Sequence, residues 1–210
     1  MSLKQDGVII VLSSPSGAGK TTLVKKISNL KKFSISISYT TRIPRKSEVN
    51  GEDYYFISES EFKNLINDNE LLEYAKVFNN YYGSSKNRVF GLLNNGKNVI
   101  FDIDWQGTKQ IKEKNVNYKL ITFFILPPSK KTLLNRLSER ENNDKKIINE
   151  RMESFNRDIL HWEDYDYVVI NDNLEICLNE IIEIIDSELN NKKIIYDKNK
   201  IKKHIQNLIN

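Results

Sequence analysis

One segment of the sequence has the residue types and spacing of a phosphate-binding turn. It lies between a β-branched run, Val8–Ser13, and a helix predicted over Thr21–Leu30. Its residues are Ser14, Pro15, Ser16, Gly17, Ala18, Gly19, Lys20 and Thr21, followed by Thr22. A glycine turn that opens a helix directs backbone N–H groups and the helix dipole towards an anion. Lys20 would add a cation for the β and γ oxygens, and the Thr21 hydroxyl would bind Mg²⁺.

The turn departs from the motif G-x-x-x-x-G-K-[ST] at its first position, where this chain has Ser14. Its place between a strand and a helix still favours a nucleoside-triphosphate site over the alternative, a glycine turn with one exposed lysine. Such a site fits a GTPase, an ATPase motor or a kinase. The sequence contains no Asn-Lys-x-Asp stretch for reading guanine in the GTPase manner, which disfavours the first of these.

A carboxylate stands at the end of a second predicted strand. The apolar run Asn98–Asp102 ends in Asp102, which could orient the water shell of a magnesium ion. Asp104 follows two residues later and would face the same side if the strand continued. The alternative interpretation of Asp102 is a helix cap or a turn residue.

A third group of residues could bind a phosphorylated acceptor. Arg42 and Arg45 flank a proline that fixes the backbone, so both guanidinium groups could converge on one phosphate. Tyr54 and Tyr82 could donate hydroxyl hydrogen bonds to phosphate oxygens without adding charge. Glu73, on an apolar strand, would accept from paired donors, and guanine presents such a pair as N1–H and its 2-amino group. The alternative is a set of surface arginines and core tyrosines.

The predicted elements that position these groups are strands alternating with helices, which indicates an α/β fold with a parallel sheet and right-handed crossovers. Two insertions interrupt the alternation. One, over about 37–87, is rich in tyrosine and short strands, and the other, over about 138–150, is almost wholly polar. Both are predicted to lie over a catalytic edge.

Because of these motifs, the sequence resembles the guanylate kinase family over roughly residues 6–190. The motifs occur in the order and spacing of the family. They are the phosphate turn, Thr40–Arg45, Gly51–Phe56, Asn80–Ser84, Asp102–Gly107, Ile125–Ser129, Tyr165–Tyr167 and Asn171–Asp172.

The resemblance implies a P-loop nucleotide-kinase fold, a parallel sheet flanked by helices with a monophosphate-binding lobe and a lid. The core would comprise about 6–36, 88–137 and 151–190, the GMP-binding lobe about 37–87, the lid about 138–150 and a basic tail 191–210. The substrates would be ATP and GMP, with dGMP as a second acceptor, and Mg²⁺ would be held by Thr21 and Asp102.

Site roles also follow from the resemblance. Arg42, Arg45, Tyr54 and Tyr82 would hold the GMP phosphate. Ser38, Glu73, Ser84 and Asp104 would read the guanine edge.

Three arginines in and around the polar insertion complete the expected machinery. Arg136 and Arg140 lie four residues apart and share a helical face, and Arg151 follows. Lys20, Arg140 and Arg151 are predicted to stabilise the transferring phosphoryl group, with Arg136 near the ATP. The alternative is a solvated face of weak ion pairs. The family usually has glycine after the lid arginine, where this chain has Glu141 and then two asparagines.

Charge and composition indicate whether nucleic acid or a membrane is expected as a partner. The tail 191–210 has six lysines and one aspartate, a net charge of +5, so the other residues total −1 and a body-wide nucleic-acid groove is not expected. No stretch is long enough to span a membrane, and the single cysteine, Cys177, suggests a core residue in a reducing, cytoplasmic compartment.

Isoleucines at helical spacing predict a tail helix that folds back on the core or across a homodimer. Contact of this tail with RNA or an anionic membrane is a minor alternative.

Three classes of function stay open from the sequence. The first is an ATP:GMP phosphotransferase, which the motifs favour. The second is a non-catalytic binding module that keeps the guanylate-kinase fold, and the third is a kinase for another phosphorylated acceptor.

Overall fold

A computed structural model describes residues 6–209 of the chain. The strands are β1 (Ile9–Ser13), β2 (Ser34–Ile35), β3 (Tyr39–Thr40), β4 (Tyr55–Phe56), β5 (Leu71–Val77), β6 (Asn80–Ser85), β7 (Val99–Asp102), β8 (Leu120–Leu126) and β9 (Tyr167–Ile170). The helices are α1 (Lys20–Lys31), α2 (Glu59–Asn67), α3 (Lys86–Asn94), α4 (Trp105–Glu113), α5 (Lys130–Arg140), α6 (Lys145–Asp158), α7 (Leu174–Leu189) and α8 (Lys198–Ile209). A 3₁₀ helix covers Ile159–Asp164. The alternation confirms the predicted α/β class.

The chain forms two compact units. The first contains the described residues through Val11 together with Lys32–Leu120, and the second contains Leu12–Lys31 together with the described residues from Ile121 onward. Strand β1 contributes its first residues to one unit and its last residues to the other.

The first unit has a parallel sheet segment with strand order β2-β7-β1. Strand β2 pairs in parallel with β7, with Ser34 opposite Val99. One cluster of apolar side chains packs around these strands and helices α3 and α4, and its fully buried members include Ile9, Leu93, Phe101 and Ile111. The burial of β1 and β7 is typical of a parallel sheet covered on both faces.

A second sheet in this unit has strand order β4-β3-β6-β5. Strands β5 and β6 form a hairpin whose two turn residues, Phe78 and Asn79, both have positive φ, as a type I′ turn requires. The pairing register shifts between Leu71 and Glu73. This bulge leaves Glu73 buried, because the extra residue re-aims the side chains on either side of it.

The second unit is built on β8 and β9, which pair in parallel from Phe123–Tyr167 to Leu126–Ile170. Within this unit the end of β1 lies next to β8. The apolar patterns of the sequence predict a last strand over Tyr167–Ile170 and a last core helix over Leu174–Leu189, and β9 and α7 have these bounds.

The C-terminal tail folds back on the second unit, which is the first of the two arrangements that the sequence predicts. Helix α8 buries Ile201, Ile205 and Leu208 in a cluster with residues of α5, α6 and β9. The hydroxyl of Tyr196 donates to the Val168 carbonyl and accepts from its N–H, which satisfies backbone groups of the terminal strand β9. Among residues 6–209, no helix is long and apolar enough to cross a membrane.

Candidate functional site

The phosphate turn connects β1 to α1, as the sequence predicts. Its two glycines have positive φ, +88° at Gly17 and +96° at Gly19. A Cβ at Gly17 would also lie 2.9 Å from a methyl group of Leu133. Ser14 is not among the described residues with positive φ. The loop therefore needs glycine at two of its positions but not at the position where this chain has serine.

A buried asparagine holds this turn from the end of β9. Asn171 is 3% exposed, and its Nδ2 donates to the carbonyl oxygen of Ala18 at 2.7 Å. A Cβ at Gly19 would fall on the same amide nitrogen, well inside van der Waals distance. The turn can thus approach Asn171 this closely only with glycine at that position.

Arg136 meets the same asparagine. Its Nη2 donates to the Asn171 carbonyl oxygen at 3.2 Å. Arg136 Nη1 and Asn171 Oδ1 are both buried and have no hydrogen-bond partner among the described residues. Buried polar groups are rarely orphaned in proteins, so this donor and this acceptor mark an unusual polar feature beside the phosphate turn.

The two other predicted arginines share one carboxylate. Arg151 and Arg140 each place Nε 3.2 Å from Glu141 Oε1. The Arg151 contact is an ion pair rather than an aligned hydrogen bond. Arg151 also donates from Nη1 to the Ser16 hydroxyl at 2.7 Å, so the structure brings this arginine to the phosphate turn. The Arg140 side chain is 41% exposed.

The turn between α5 and α6 contains two asparagines, directly after Glu141. Asn142 and Asn143 have φ of +50° and +60°. Asparagine tolerates the left-handed region better than other residues with a Cβ. The helices extend into the predicted lid from both sides, leaving only 141–144 between them.

In the first unit, Arg42 and Arg45 converge on Glu48. Arg42 donates to both oxygens of the Glu48 carboxylate, at 2.9 and 2.8 Å. Arg45 adds a backbone hydrogen bond at 2.7 Å and a side-chain contact at 3.3 Å. Burial opposes ionisation of Glu48, but the hydrogen bonds from Arg42 and from the Arg45 backbone hold its pKa below the ordinary value. The two arginines are therefore oriented from one side by a shared carboxylate.

The predicted tyrosines lie beside Arg42. Its guanidinium carbon is 5.4 Å from the centre of the Tyr54 ring, and the rings of Tyr54 and Tyr82 are 6.0 Å apart. Burial, with a smaller effect from the Asp102 carboxylate, raises the pKa of Tyr54. Tyr54 consequently stays a neutral phenol that can donate a hydrogen bond to a phosphate oxygen.

The predicted guanine-reading residues form a buried chain. Glu73 is 2% exposed, and its Oε1 accepts from the Ser84 hydroxyl at 2.6 Å. The Ser84 and Ser38 hydroxyl oxygens are 3.3 Å apart. Burial raises the pKa of Glu73 to about 7, against the lowering effect of the Ser84 hydrogen bond. This carboxylate is therefore poised between its two protonation states near neutral pH.

The two aspartates differ in their local roles. Asp104, rather than Asp102, is the N-cap of α4 and accepts from the backbone of Gln106 and Gly107 at 3.0 and 3.1 Å. Both carboxylates lie at Gly107, since Asp104 accepts from its N–H and Glu73 lies against the position of its missing Cβ, and the charge of Asp104 adds to the raised pKa of Glu73. Asp102 ends β7 and is half-buried. Within residues 6–209, no three His, Cys, Asp or Glu side chains cluster in a way that could hold a metal ion.

Several contacts around the predicted sites could not be predicted from the sequence, although Asn171 and Gly107 lie within motifs that carry the guanylate kinase resemblance. The roles of Glu48 and Asn171 depend on partners brought together by the fold. Gly107, in helix α4, lies against the Glu73 carboxylate. Glu48 alone had a local clue, because it stands three residues after Arg45.

A phosphate turn at a strand–helix junction, together with a second set of converging arginines, tyrosines and a buried carboxylate, defines a P-loop phosphotransferase. The guanylate kinase family model matches residues 7–188. The chain is 50% identical to the guanylate kinase of Rickettsia prowazekii (strain Madrid E) over 189 residues, which is 90% of this chain and 95% of that protein. It is 46% identical to the guanylate kinase of Blochmanniella floridana over 210 residues, 99% of this chain and 96% of the relative.

A solved structure is also similar. The crystal structure of guanylate kinase from Anaplasma phagocytophilum has a TM-score of 0.70 and 34% identity, covering 89% of this chain and 88% of the other. The chain belongs to the guanylate kinase family.

Proposed function

We propose that this chain transfers the γ-phosphoryl group of ATP to GMP, and to dGMP, forming ADP and the corresponding diphosphate. The observation that carries the choice of acceptor is the buried Glu73 carboxylate on the Ser84–Ser38 hydroxyl chain. An ionised carboxylate accepts from two neighbouring donors at once, which guanine offers and adenine does not. Membership of the guanylate kinase family supports the same substrate pair.

In the reaction, an oxygen of the GMP phosphate forms a bond to the γ-phosphorus, and the bond from that phosphorus to the β,γ-bridging oxygen breaks. The nucleophile is already an anion, so no side chain has to remove a proton. The work left to the protein is to position the groups and to stabilise charge on the transferring oxygens.

In the second unit, the proposed ATP-binding residues are Ser14 to Thr22 and Arg136. Backbone N–H groups at the start of α1 suit the phosphates. The orphaned Arg136 Nη1 and Asn171 Oδ1 support a nucleotide beside them. Lys20, Arg140 and Arg151 are proposed to stabilise the transferring group, and the hydrogen bond of Arg151 to Ser16 supports its place at the phosphate turn.

Magnesium, when bound with ATP, would neutralise charge on the phosphate oxygens. Thr21 in the first turn of α1 and Asp102 at the end of β7 are the proposed protein contributors. One hydroxyl and one carboxylate suit an ion that usually keeps several waters and binds substrate phosphates.

In the first unit, Arg42, Arg45, Tyr54 and Tyr82 are proposed to bind the GMP phosphate. The aromatic and guanidinium contacts among them support one shared ligand. Ser38, Glu73, Ser84 and Asp104 are proposed to read guanine. A cytoplasmic location and a role in purine nucleotide metabolism belong to the same proposal.

The test is an ADP-coupled assay of the purified chain with ATP, Mg²⁺ and each of GMP, dGMP, AMP and UMP. Turnover with GMP and dGMP and discrimination of about 10⁴-fold or more against AMP is expected, because the wrong base leaves buried groups unpaired. GMP binding without turnover would indicate the binding module instead. Turnover with a different acceptor alone would indicate the third class.

A further inference from the structure

Gly107 occupies a helix position whose backbone does not require glycine. It lies inside α4 and is not among the glycines with positive φ. Alanine is the better helix former at such a position. The explanation for a glycine is therefore the space around it.

That space is filled by the carboxylate of Glu73. A Cβ on Gly107 would lie 3.1 Å from Glu73 Cδ and far inside van der Waals distance of Oε2. The third of the three nearest atoms is Cδ1 of Ile103, at 3.2 Å. The carboxylate thus packs directly on the backbone of α4, where any side chain would have to displace it.

Helix α4 cannot easily withdraw from β5 to make room. Gln110 accepts from the Tyr74 N–H at 3.1 Å and donates to the Tyr74 carbonyl at 2.6 Å, so it pairs with the strand as a neighbouring strand would. Lys114 donates to the Leu72 carbonyl. The two strand residues that α4 contacts, Leu72 and Tyr74, are the neighbours of Glu73 in β5. The helix is therefore held to the strand on both sides of Glu73. A collision at position 107 is consequently expected to move the Glu73 side chain rather than the helix.

We propose that Gly107 is a specificity-determining positioning residue: its missing side chain is what lets Glu73 stand where it can read the guanine edge. The inference deepens the proposed function and rests on it. It predicts that a single methyl group at position 107 weakens recognition of the acceptor base without disturbing the fold or the ATP side of the reaction.

The test is Gly107→Ala, with Gly91→Ala as a matched control. Gly91 is also a helical glycine of the first unit, in α3, but a Cβ there would meet no atom within 4 Å. For Gly107→Ala, we expect the KM for GMP to rise about tenfold or more, as for a lost hydrogen bond to a charged group. The kcat at saturating GMP and the KM for ATP should change less than about twofold. The melting temperature should not fall, and Gly91→Ala should leave all kinetic constants unchanged.

An unchanged KM for GMP in Gly107→Ala would overturn the inference. So would a fall in melting temperature, or equal increases in the KM for GMP and for ATP, since each indicates a general distortion. Assays of the wild-type protein and of Glu73→Gln show whether only the role of Gly107 is wrong or the proposed function itself is wrong. Wild-type protein that does not phosphorylate GMP refutes the function. Wild-type protein that does, with a defective Glu73→Gln and a normal Gly107→Ala, refutes only the role of Gly107.

Discussion

Arg42 and Glu48 form a two-point ion pair in which Nη1 and Nη2 of the arginine each donate to a different carboxylate oxygen, at 2.9 and 2.8 Å. Both side chains are mostly buried, with 16% and 12% exposed. Fork-to-fork pairs of this kind fix the plane of the guanidinium group. Arg42 Nη1 also donates to the Ile43 carbonyl oxygen at 2.8 Å, so three of the five guanidinium N–H groups are used by Glu48 and Ile43. Glu48 therefore holds the Arg42 guanidinium group in a fixed orientation, in which it can bind a second anion.

Replacing Glu48 with glutamine should impair GMP binding. The amide keeps one acceptor but loses the charge and the second acceptor, so Arg42 and the Arg45 backbone lose their common anchor. We expect the KM for GMP to rise about tenfold, the cost of one charge-assisted hydrogen bond. The KM for ATP serves as the internal control. Tighter GMP binding would show instead that Glu48 competes with the phosphate.

The affinity for GMP should depend on pH through Glu73. Reading two donors requires the ionised carboxylate, and the pKa of this group is about 7 because it is buried. The KM for GMP should therefore increase about tenfold for each unit of pH below 7 and level off above it. The GMP phosphate also titrates, near pH 6, and Glu73→Gln retains only that contribution. A profile that is the same in the variant and the wild type would argue against Glu73.

Glu73 should also make the folded protein less stable at alkaline pH. Its pKa is raised in the folded state from an ordinary 4.5 to about 7. Between these values the folded protein keeps a proton that the unfolded chain has lost, so stability present below pH 4.5 is lost as the pH rises through 7. Glu73→Gln should remove a cost of about 3 kcal/mol at pH 8 and almost none at pH 4. Urea unfolding at the two pH values measures the difference, and an equal effect at both would contradict it.

Asn171 should support ATP binding by holding the phosphate turn. In Asn171→Ala the Ala18 carbonyl loses its buried donor, so the free energy of unfolding should fall by about 1–3 kcal/mol, and the KM for ATP should rise while that for GMP does not. The control is Asn173→Ala, which removes the N-cap of α7, where Asn173 accepts from Glu175 and Ile176. That variant should lose about 1 kcal/mol of stability with an unchanged KM for ATP. Equal kinetics in the two variants would make the role of Asn171 purely structural.

The tail helix should contribute to stability through its buried face. Ile205 is 3% exposed and Ile195 is 95% exposed, so two Ile→Ala variants in one tail provide a matched pair. Ile205→Ala should lower the free energy of unfolding by about 2–5 kcal/mol, because it leaves a cavity in the core. Ile195→Ala should change it by less than about 0.5 kcal/mol. Similar losses in both would mean that α8 does not pack on the second unit in solution.

Local sequence determined those elements whose signals lie within a few residues of one another. Ser58 and Glu61 have the residue types and the three-residue spacing of a capping box, and the structure has that box at the start of α2. The β-branched run and the glycine turn placed the phosphate loop, because a turn and a helix start depend on neighbouring backbone groups. The cap considered for Asp102 proved to be Asp104, a shift of two residues that a strand-end pattern cannot resolve.

Only the tertiary structure decided how the site residues face one another. Three consecutive buried residues, Leu71 to Glu73, carry no alternation, and the bulge that orients Glu73 exists only through its pairing with β6. Asn171 reaches Ala18 across 153 positions of the chain. The space around Gly107 is filled by the Glu73 carboxylate, which belongs to another element, β5. Residue types and short spacings state which chemistry is available, but close approach between distant segments is fixed by packing, which no local pattern encodes.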